Sequence, residues 1–302
     1  MSRLRRLARR LRAAGTLWKS GGGAAVTAQA LASLRGRLGL DELEKRVEGM
    51  SPAVSTWPLT SWIEQAALHP TPLVSVILPT HDRAGLLPRA VASVRAQVYP
   101  AWEIVLVDDG STDATPAVAE RLRAEVGAAR LQTLRVAPGG VCAARNHGLA
   151  TAKGSLIAYL DDDNVMHPLW LKAVAWAFAQ RPDVDVVYGG IIIDDLLRVN
   201  RRSAGALPSY HLAPFDRGRL ASTNLADIGA IAHRRGLSEA HFDETLREMG
   251  DWDLLIRLTR DKAPLVLPAV ACFYHTDSPN RLSGGPTFEA DQQRVRTKAE
   301  TR

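Results

Sequence analysis

The sequence predicts an α/β protein built on a doubly wound, mostly parallel sheet, with a helical extension at its N-terminus. Three observations carry that expectation. From Leu73 to Ile193, short apolar and β-branched runs alternate with segments of about a dozen residues at helical apolar spacing, the rhythm of parallel strands joined by crossover helices. The first of these runs, Val74–Leu78, is apolar and β-branched rather than alternating, as in a sheet covered on both faces. Polar clusters follow three of the runs, at Thr80–Arg83, Asp108–Ser111 and Asp161–Asp163. Open α/β sheets hold ligands just beyond the carboxyl ends of their strands.

The chain has 302 residues, 46% of them hydrophobic, enough for one large α/β domain and an appendage. Two cysteines, Cys142 and Cys272, make neither a disulfide framework nor a metal spacing, which fits a reducing cytoplasm. No apolar run reaches the roughly 18 residues of a spanning helix. The net charge of +6 is concentrated at the start. Residues 1–12 hold six arginines and no acid, and the remainder balances 32 basic against 32 acidic residues. As a helix, this arm sets Leu4, Leu7 and Leu11 on one side with arginines around them. That is the pattern of an interfacial helix drawn to anionic lipid, which would bring the protein to the inner face of the membrane. A transit peptide, an RNA-binding arm and a solvated terminus stay open. The neutral body lacks the basic, aromatic-interleaved patch of a nucleic-acid binder.

In chain order, residues 1–50 read as a basic helical extension, with Asp41–Val47 helical after the flexible Gly21–Gly23. Residues 51–72 carry four prolines and read as a linker strapped onto the main domain. The domain itself is expected over 73–285, with 286–302 as a tail. Strands are expected at Val74–Leu78, Glu103–Val107, Leu131–Val136, Ser155–Leu160, Val184–Ile193 and Leu265–Val270. Helices are expected at Gly85–Gln97, Thr115–Val126, Val141–Ala152, Pro168–Ala179 and Asp251–Arg260. Residues 194–250 break the rhythm and read as loops and short elements.

Three consecutive carboxylates at a strand end, Asp161, Asp162 and Asp163, raise one another's pKa and strain the fold unless a cation is present. Hard divalent ions prefer carboxylate oxygens, so the run reads as a metal site or as a solvated acidic turn. Asp108 and Asp109 can accept hydrogen bonds from a base N–H or a ribose hydroxyl, and Gly110 lets the backbone turn tightly. Asp113 suits the cap of the next helix. Gly139 and Gly140 open a helix whose backbone N–H groups favour anions. Arg145 and Asn146 behind them suit a pyrophosphate, and Arg145 equally suits pairing with Asp161 or Asp163. No G-x-G-x-x-G follows the first strand and no G-x-x-x-x-G-K-[ST] occurs, which excludes dinucleotide and P-loop sites.

Taken together, Val74–Arg83, Val107–Asp113, Ala144–Gly148 and Leu160–Asp163 resemble family 2 glycosyltransferases of the GT-A fold in order, spacing and strand-end placement, over roughly Leu73 to Arg281. The resemblance implies a nucleotide-diphospho-sugar donor, with UDP the expected nucleotide and GDP or dTDP open, and Mn²⁺ or Mg²⁺. It puts Pro79, Thr80 and Arg83 at the nucleotide-binding first loop and Asp109, beside Asp108, on the base. Gly140, Arg145 and Asn146 fall on the diphosphate side. Asp161 and Asp163 match the ends of the D-x-D motif, with Asp162 between them. Asp161 is expected near the ribose and Asp163 on the metal, with His275 as a further ligand or a structural histidine.

The family's acidic pair before a helix reads Gly250-Asp251 here, which assigns the catalytic base to Asp251 and leaves Glu248 and Asp253 as outside candidates. Trp252 is a candidate surface for a sugar ring to stack on, and Arg281, on a mobile loop, reads either as closing over the diphosphate or as a plain surface arginine. The implied activity is metal-dependent, inverting transfer of a hexosyl-type sugar to an acceptor hydroxyl, in cell-envelope polysaccharide or glycolipid synthesis. The alternative is a non-catalytic nucleotide-sugar binder or partner subunit, suggested by the altered acidic pair. The acceptor is not readable.

Overall fold

The computed structural model describes residues 62–64, 66–68, 71–193, 209–275 and 287–300. The arginine-rich arm, residues 1–50 as a whole, most of the Pro-containing linker and Arg281 lie outside the described residues.

Nine strands among the described residues form one sheet, in the order β3-β2-β1-β4-β8-β6-β9-β5, with β7 on β6. They are β1 (Val74–Thr80), β2 (Trp102–Asp108), β3 (Leu131–Arg135), β4 (Leu156–Tyr159), β5 (Val165–Met166), β6 (Val186–Ile193), β7 (Ser209–His211), β8 (Ile231–Arg234) and β9 (Leu265–Tyr274). The helices are α1 (Leu87–Arg95), α2 (Thr115–Val126), α3 (Val141–Thr151), α4 (Trp170–Gln180), α5 (Arg217–Ser222), α6 (Gly250–Leu258) and α7 (Phe288–Glu300). Strands β1 to β4, β6 and β9 run one way, and β5, β7 and β8 oppose them. The mostly parallel α/β architecture is therefore as the sequence predicted.

Side-chain alternation divides the core into two layers. Val74, Val76 and Leu78 of β1 face α1, α2 and α4, and Ile77 faces α3 and α6. All seven residues of β1 are buried, and each fully buried Val, Ile or Leu there contributes roughly 1.5–3 kcal/mol. Ile63, from the Pro-containing segment, is buried in the first layer, and Trp62 meets Trp176 of α4 edge-on at 4.8 Å.

β1 runs two residues past its expected end, through Pro79. β4 stops pairing with β1 at Ile77, whereas β2 accompanies β1 to Thr80. A proline without an N–H is tolerated once the β4 side no longer needs that donor. β5, β8 and α5 were not expected, because strands of two to four residues take their identity from sheet partners rather than from their own pattern. Residues 286–302, expected as a tail, contain α7. Its Val295 is fully buried in the same layer as Trp252.

Candidate active site

The tips of β1, β2 and β4 end on one edge of the sheet, and hydrogen bonds knit them together. After β1, Asp82 adopts a left-handed backbone (φ 50°) and its carboxylate accepts the Thr112 and Asp113 amides at 2.6 and 3.1 Å. This bend turns Arg83 back over the sheet edge. Its Nη1 meets Asp162 Oδ1 at 2.9 Å and Asp163 Oδ2 at 2.8 Å. Thr80 Oγ1 donates to the other Asp162 oxygen at 2.6 Å. Burial works against the Arg83 charge, but Asp162 and Asp163 outweigh it and raise its pKa. Burial pushes Asp162 up to about 7 despite Arg83 and Thr80. Asp163 is also raised, by burial and then by Asp161, with Arg83 opposing.

The β2 tip separates its two aspartates. Asp109 spends both oxygens on the loop before α3, accepting the Gly139 amide at 2.7 Å and the Gly140 amide at 2.8 Å. Gly140 has φ 91°, a backbone that glycine adopts without strain, and this aims the two amides at Asp109. Asp108 Oδ1 accepts the Ser111 amide at 2.8 Å, while its Oδ2 is buried with no hydrogen-bond donor, Arg135 Nε standing 3.8 Å away.

Arg145 of α3 links the acid run to the second half of the molecule. Its buried guanidinium bonds Asp161 Oδ1 at 2.6 Å, leaves Nε without a hydrogen-bond partner and lies 5.3 Å from the Phe242 ring centre. The charges of Asp161 and Asp251 keep it protonated against burial. Asp251, near the start of α6, accepts its neighbour's Trp252 amide at 2.8 Å and the Asn224 side-chain amide at 2.9 Å. Burial raises the Asp251 pKa, Arg145 and these two donors pull it back, and Asp161 adds to it. Asp227, just before the 3-10 turn Ile228–Ala230, is likewise raised by burial and by the charges of Asp161 and Asp251. Arg145 thus pairs with Asp161 and acts electrostatically on Asp251 and Asp227, carboxylates from two further segments.

Comparisons with known proteins identify the family and the fold. The family model described as glycosyl transferase family 2 matches residues 75–245, more than half of the chain. The chain belongs to glycosyl transferase family 2. A PGL/p-HBAD biosynthesis glycosyltransferase of Mycobacterium bovis is 33% identical over 189 residues, covering 62% of this chain and 69% of that protein. The putative colanic acid biosynthesis glycosyl transferase WcaA of Escherichia coli is 28% identical over 195 residues, covering 62% and 66%. Among solved structures, S. aureus TarS 1-349 has a TM-score of 0.56 at 20% identity and covers 75% of this chain. The chain spans 65% of that TarS structure. The mannosyltransferase PcManGT from Pyrobaculum calidifontis, in complex with GDP-Man and Mn2+, has a TM-score of 0.53 at 22% identity, covering 84% and 70%. At these identities the structures establish the GT-A fold. The protein is a glycosyltransferase enzyme.

For this glycosyltransferase the donor set can be tested against a divalent ion. Among the described residues no three carboxylate, histidine or thiol groups gather as a complete metal cluster. Asp161 and Asp163 nevertheless suit a hard cation that keeps most of its sphere for phosphate oxygens and water, as Mg²⁺ commonly does. Burial and the Asp161 charge raise the Asp163 pKa, and Arg83 holds one of its oxygens at 2.8 Å. His275 is 1% exposed beside this run, its amide donating to Asn164 Oδ1 at 3.1 Å.

Several expected residues do other work. Asp109 and Gly140 close the α3 loop on each other, so Gly140 does not present an open anion-binding amide. Asp162 is a buried anchor for Thr80 and Arg83. Asn146 gives its whole amide to residues nearly a hundred positions on, bonding Phe242 O, the Phe242 amide and Glu244. It does not reach toward the acid run. Pro79 lies inside β1 opposite Val107. Trp252 is 1% exposed with its indole N–H on Leu220 O at 2.6 Å, so it is core rather than a sugar-stacking surface. Asp253 is buried against Arg257 at 2.9 Å, and Glu248 accepts from Thr287 at 3.1 Å. Neither joins the Arg145 group.

The glycine at 250 has a packing reason. A Cβ there would stand 2.8 Å from Cys142 Sγ and 3.4 Å from Phe242 Cδ1. Asn224 and Asp227 were missed in the sequence. They fall in the arrhythmic stretch before β8, where no periodicity sets a polar residue apart.

Proposed function

We propose that this glycosyltransferase moves a sugar from a nucleotide-diphospho-sugar to an acceptor hydroxyl by metal-dependent single displacement, with inversion, in the assembly of a cell-envelope polysaccharide or glycolipid. The observation that supports the reading is the Arg145–Asp161 pair at 2.6 Å, whose charges both act on the buried Asp251 carboxylate.

The β1 and β2 tips hold the nucleotide. Asp108, whose Oδ2 lacks a hydrogen-bond donor, takes the base N–H, and Asp109 shapes the loop behind it. This revises the expected division between the two aspartates. Asp161 and Asp163 hold the divalent ion, which when bound supplies positive charge against the diphosphate. Arg83, between Asp162 and Asp163, and Arg145 are fixed cations near the same place. Asp251 accepts the proton of the attacking hydroxyl, a role suited to a carboxyl whose pKa lies nearer the working pH than usual. Asn224 holds one Asp251 oxygen and the Trp252 amide the other, which fixes the direction of the carboxylate.

The donor class draws support from the neighbours' complexes with UDP, UDP-GlcNAc and GDP-Man, and UDP is the first nucleotide to try. The cell-envelope role draws support from the names of the mycobacterial and colanic acid relatives. No helix among the described residues is long and apolar enough to cross a membrane. A cytoplasmic enzyme working at the inner membrane face would use the arginine-rich arm. The non-catalytic alternative loses its main support, because contact with Cys142 accounts for Gly250.

Thermal shift against UDP-glucose, UDP-GlcNAc and GDP-mannose, each with Mn²⁺ and with a chelator, tests the donor reading, since a bound donor stabilises the fold by mass action. A metal-dependent rise with one donor is expected. No rise with any donor contradicts the reading.

A further inference from the structure

We infer that the C-terminal helix α7 braces the catalytic carboxylate, with Asp291 as the positioning residue. This rests on Asp251 being the base. Asp291 is 1% exposed, and its Oδ2 accepts two successive amides, Arg247 at 2.8 Å and Glu248 at 2.9 Å. Met249 follows in a left-handed backbone (φ 59°), then Gly250 opens α6 and Asp251 faces the site. A methionine in that conformation persists only where its surroundings fix it. The buried Asp291 carboxylate, clamping the two preceding amides, is such a fixture. Thr287, just before α7, holds the Glu248 side chain at 3.1 Å.

The same helix reaches the other flank of the base. Arg296 Nε donates to Ser222 O at 3.2 Å, two residues before Asn224, whose side chain holds Asp251. Arg294 and Lys298 tie α7 to Thr245 and Asp243 in the segment leading to Arg247. Helix α7 therefore holds the backbone entering α6 directly, and the segment carrying Asn224 through Ser222, two residues away. A helix that only closed the core would need Val295, not a buried carboxylate aimed at two amides.

The test compares Asp291→Ala, Asp291→Asn and Arg296→Met, with Asp251→Asn as reference. The probe is the donor that stabilises the protein most among UDP-glucose, UDP-GlcNAc and GDP-mannose with Mn²⁺. Calorimetry gives donor affinity, nucleoside-diphosphate release gives kcat, and carbon-13 NMR of the carboxylates gives the titration of Asp251. Arg145, Cys142, Asp161 and Asp227 face Asp251 from their own elements and are unchanged in these variants. Asp291→Ala is expected to lower kcat at least tenfold while donor Kd stays within twofold. Loosening the loop admits water to Asp251, so its titration moves down toward an ordinary aspartate. Asp291→Asn should recover part of the loss. Arg296→Met, which keeps the buried anchor, should show a smaller fall with the same direction of shift.

Unchanged kcat per folded molecule and unchanged Asp251 titration in Asp291→Ala overturn the proposal. If that variant does not fold, an Arg296→Met protein with native kcat and native titration overturns it. Asp251→Asn with normal kcat instead defeats the underlying base assignment. A dead Asp251→Asn beside a native-like Asp291→Ala defeats only the brace.

Discussion

The two halves of the sheet solve the same problem in opposite ways. From β1 to β4 the candidate functional groups sit at strand tips, and the framework beneath them is local and regular. Thr80, Asp108 and Asp161 each follow a buried strand or end it, and register alone brings them to one edge. Beyond β4 the strands run in mixed directions, β6 and β9 one way and β5, β7 and β8 the other, and the candidate groups arrive on loops. There Asp251 is held by Asn224, 27 residues back, and the loop before it by Asp291, 43 and 44 residues ahead. A parallel strand end delivers chemistry through topology, whereas an irregular half must hold each group by named long-range bonds.

If that contrast is right, single changes in the second half damage the fold first, and changes at the strand tips damage binding first. The largest expected effect is at the buried Asp253–Arg257 pair. Arg257 also donates to the Glu239 and His241 carbonyls, so Arg257→Ala leaves two acceptors unmet and buried Asp253 with only Lys298, 3.3 Å away. A loss of about 3–5 kcal/mol is expected in a denaturant melt. Gly250→Ala pushes a methyl into Cys142 and should cost about 1–3 kcal/mol, with part of it recovered in the Cys142→Ala background. Additive losses would mean that the two positions do not press on each other.

At the strand tips the two neighbouring aspartates should separate. Asp109→Ala leaves the Gly139 and Gly140 amides unmet and should lower stability by about 1–3 kcal/mol. Asp108→Asn keeps its shape, so its melting point should hold while donor Kd rises about tenfold, a loss near 1.4 kcal/mol. Equal effects at the two positions would collapse the distinction.

The smallest expected effect is a pH slope in the second half. His233 is buried between the Tyr159 hydroxyl and the Arg234 carbonyl, and burial lowers its pKa to about 4. An unfolded histidine titrates near 6.5. Between those values the unfolded chain binds a proton that the folded one refuses, so stability falls as pH falls. The slope from this group is on the order of 1 kcal/mol per pH unit, and replacing His233 should flatten it.

The same contrast explains what could be read from the chain. The β1 to β4 framework and the acid run were legible because buried parallel strands are continuous apolar segments and their tips are marked by polar residues. Even there the sequence could not divide labour between Asp108 and Asp109, because the division depends on Gly139 and Gly140 closing back over β2. Asn146 looked like an anion ligand because it sits in the first turns of a helix behind two glycines, but its partner Phe242 is 96 residues away. Asp291 was hidden for another reason. α7 is polar nearly throughout, with Val295 its only buried apolar side chain, so no hydrophobic stripe announced a docked helix. Only the fold shows that a carboxylate in such a segment is buried.

In the proposed mechanism, strand-tip carboxylates hold the donor through a cation while a separate carboxylate accepts the proton. Donor titrations with Mn²⁺ and with a chelator, run on Asp163→Asn and Asp251→Asn side by side with turnover, test it most directly. Asp163→Asn is expected to lose the Mn²⁺-dependent part of donor affinity. Asp251→Asn is expected to bind donor normally and to lose transfer by about a hundred- to ten-thousand-fold. Equal loss of donor affinity in both variants, or normal transfer by Asp251→Asn, would contradict it.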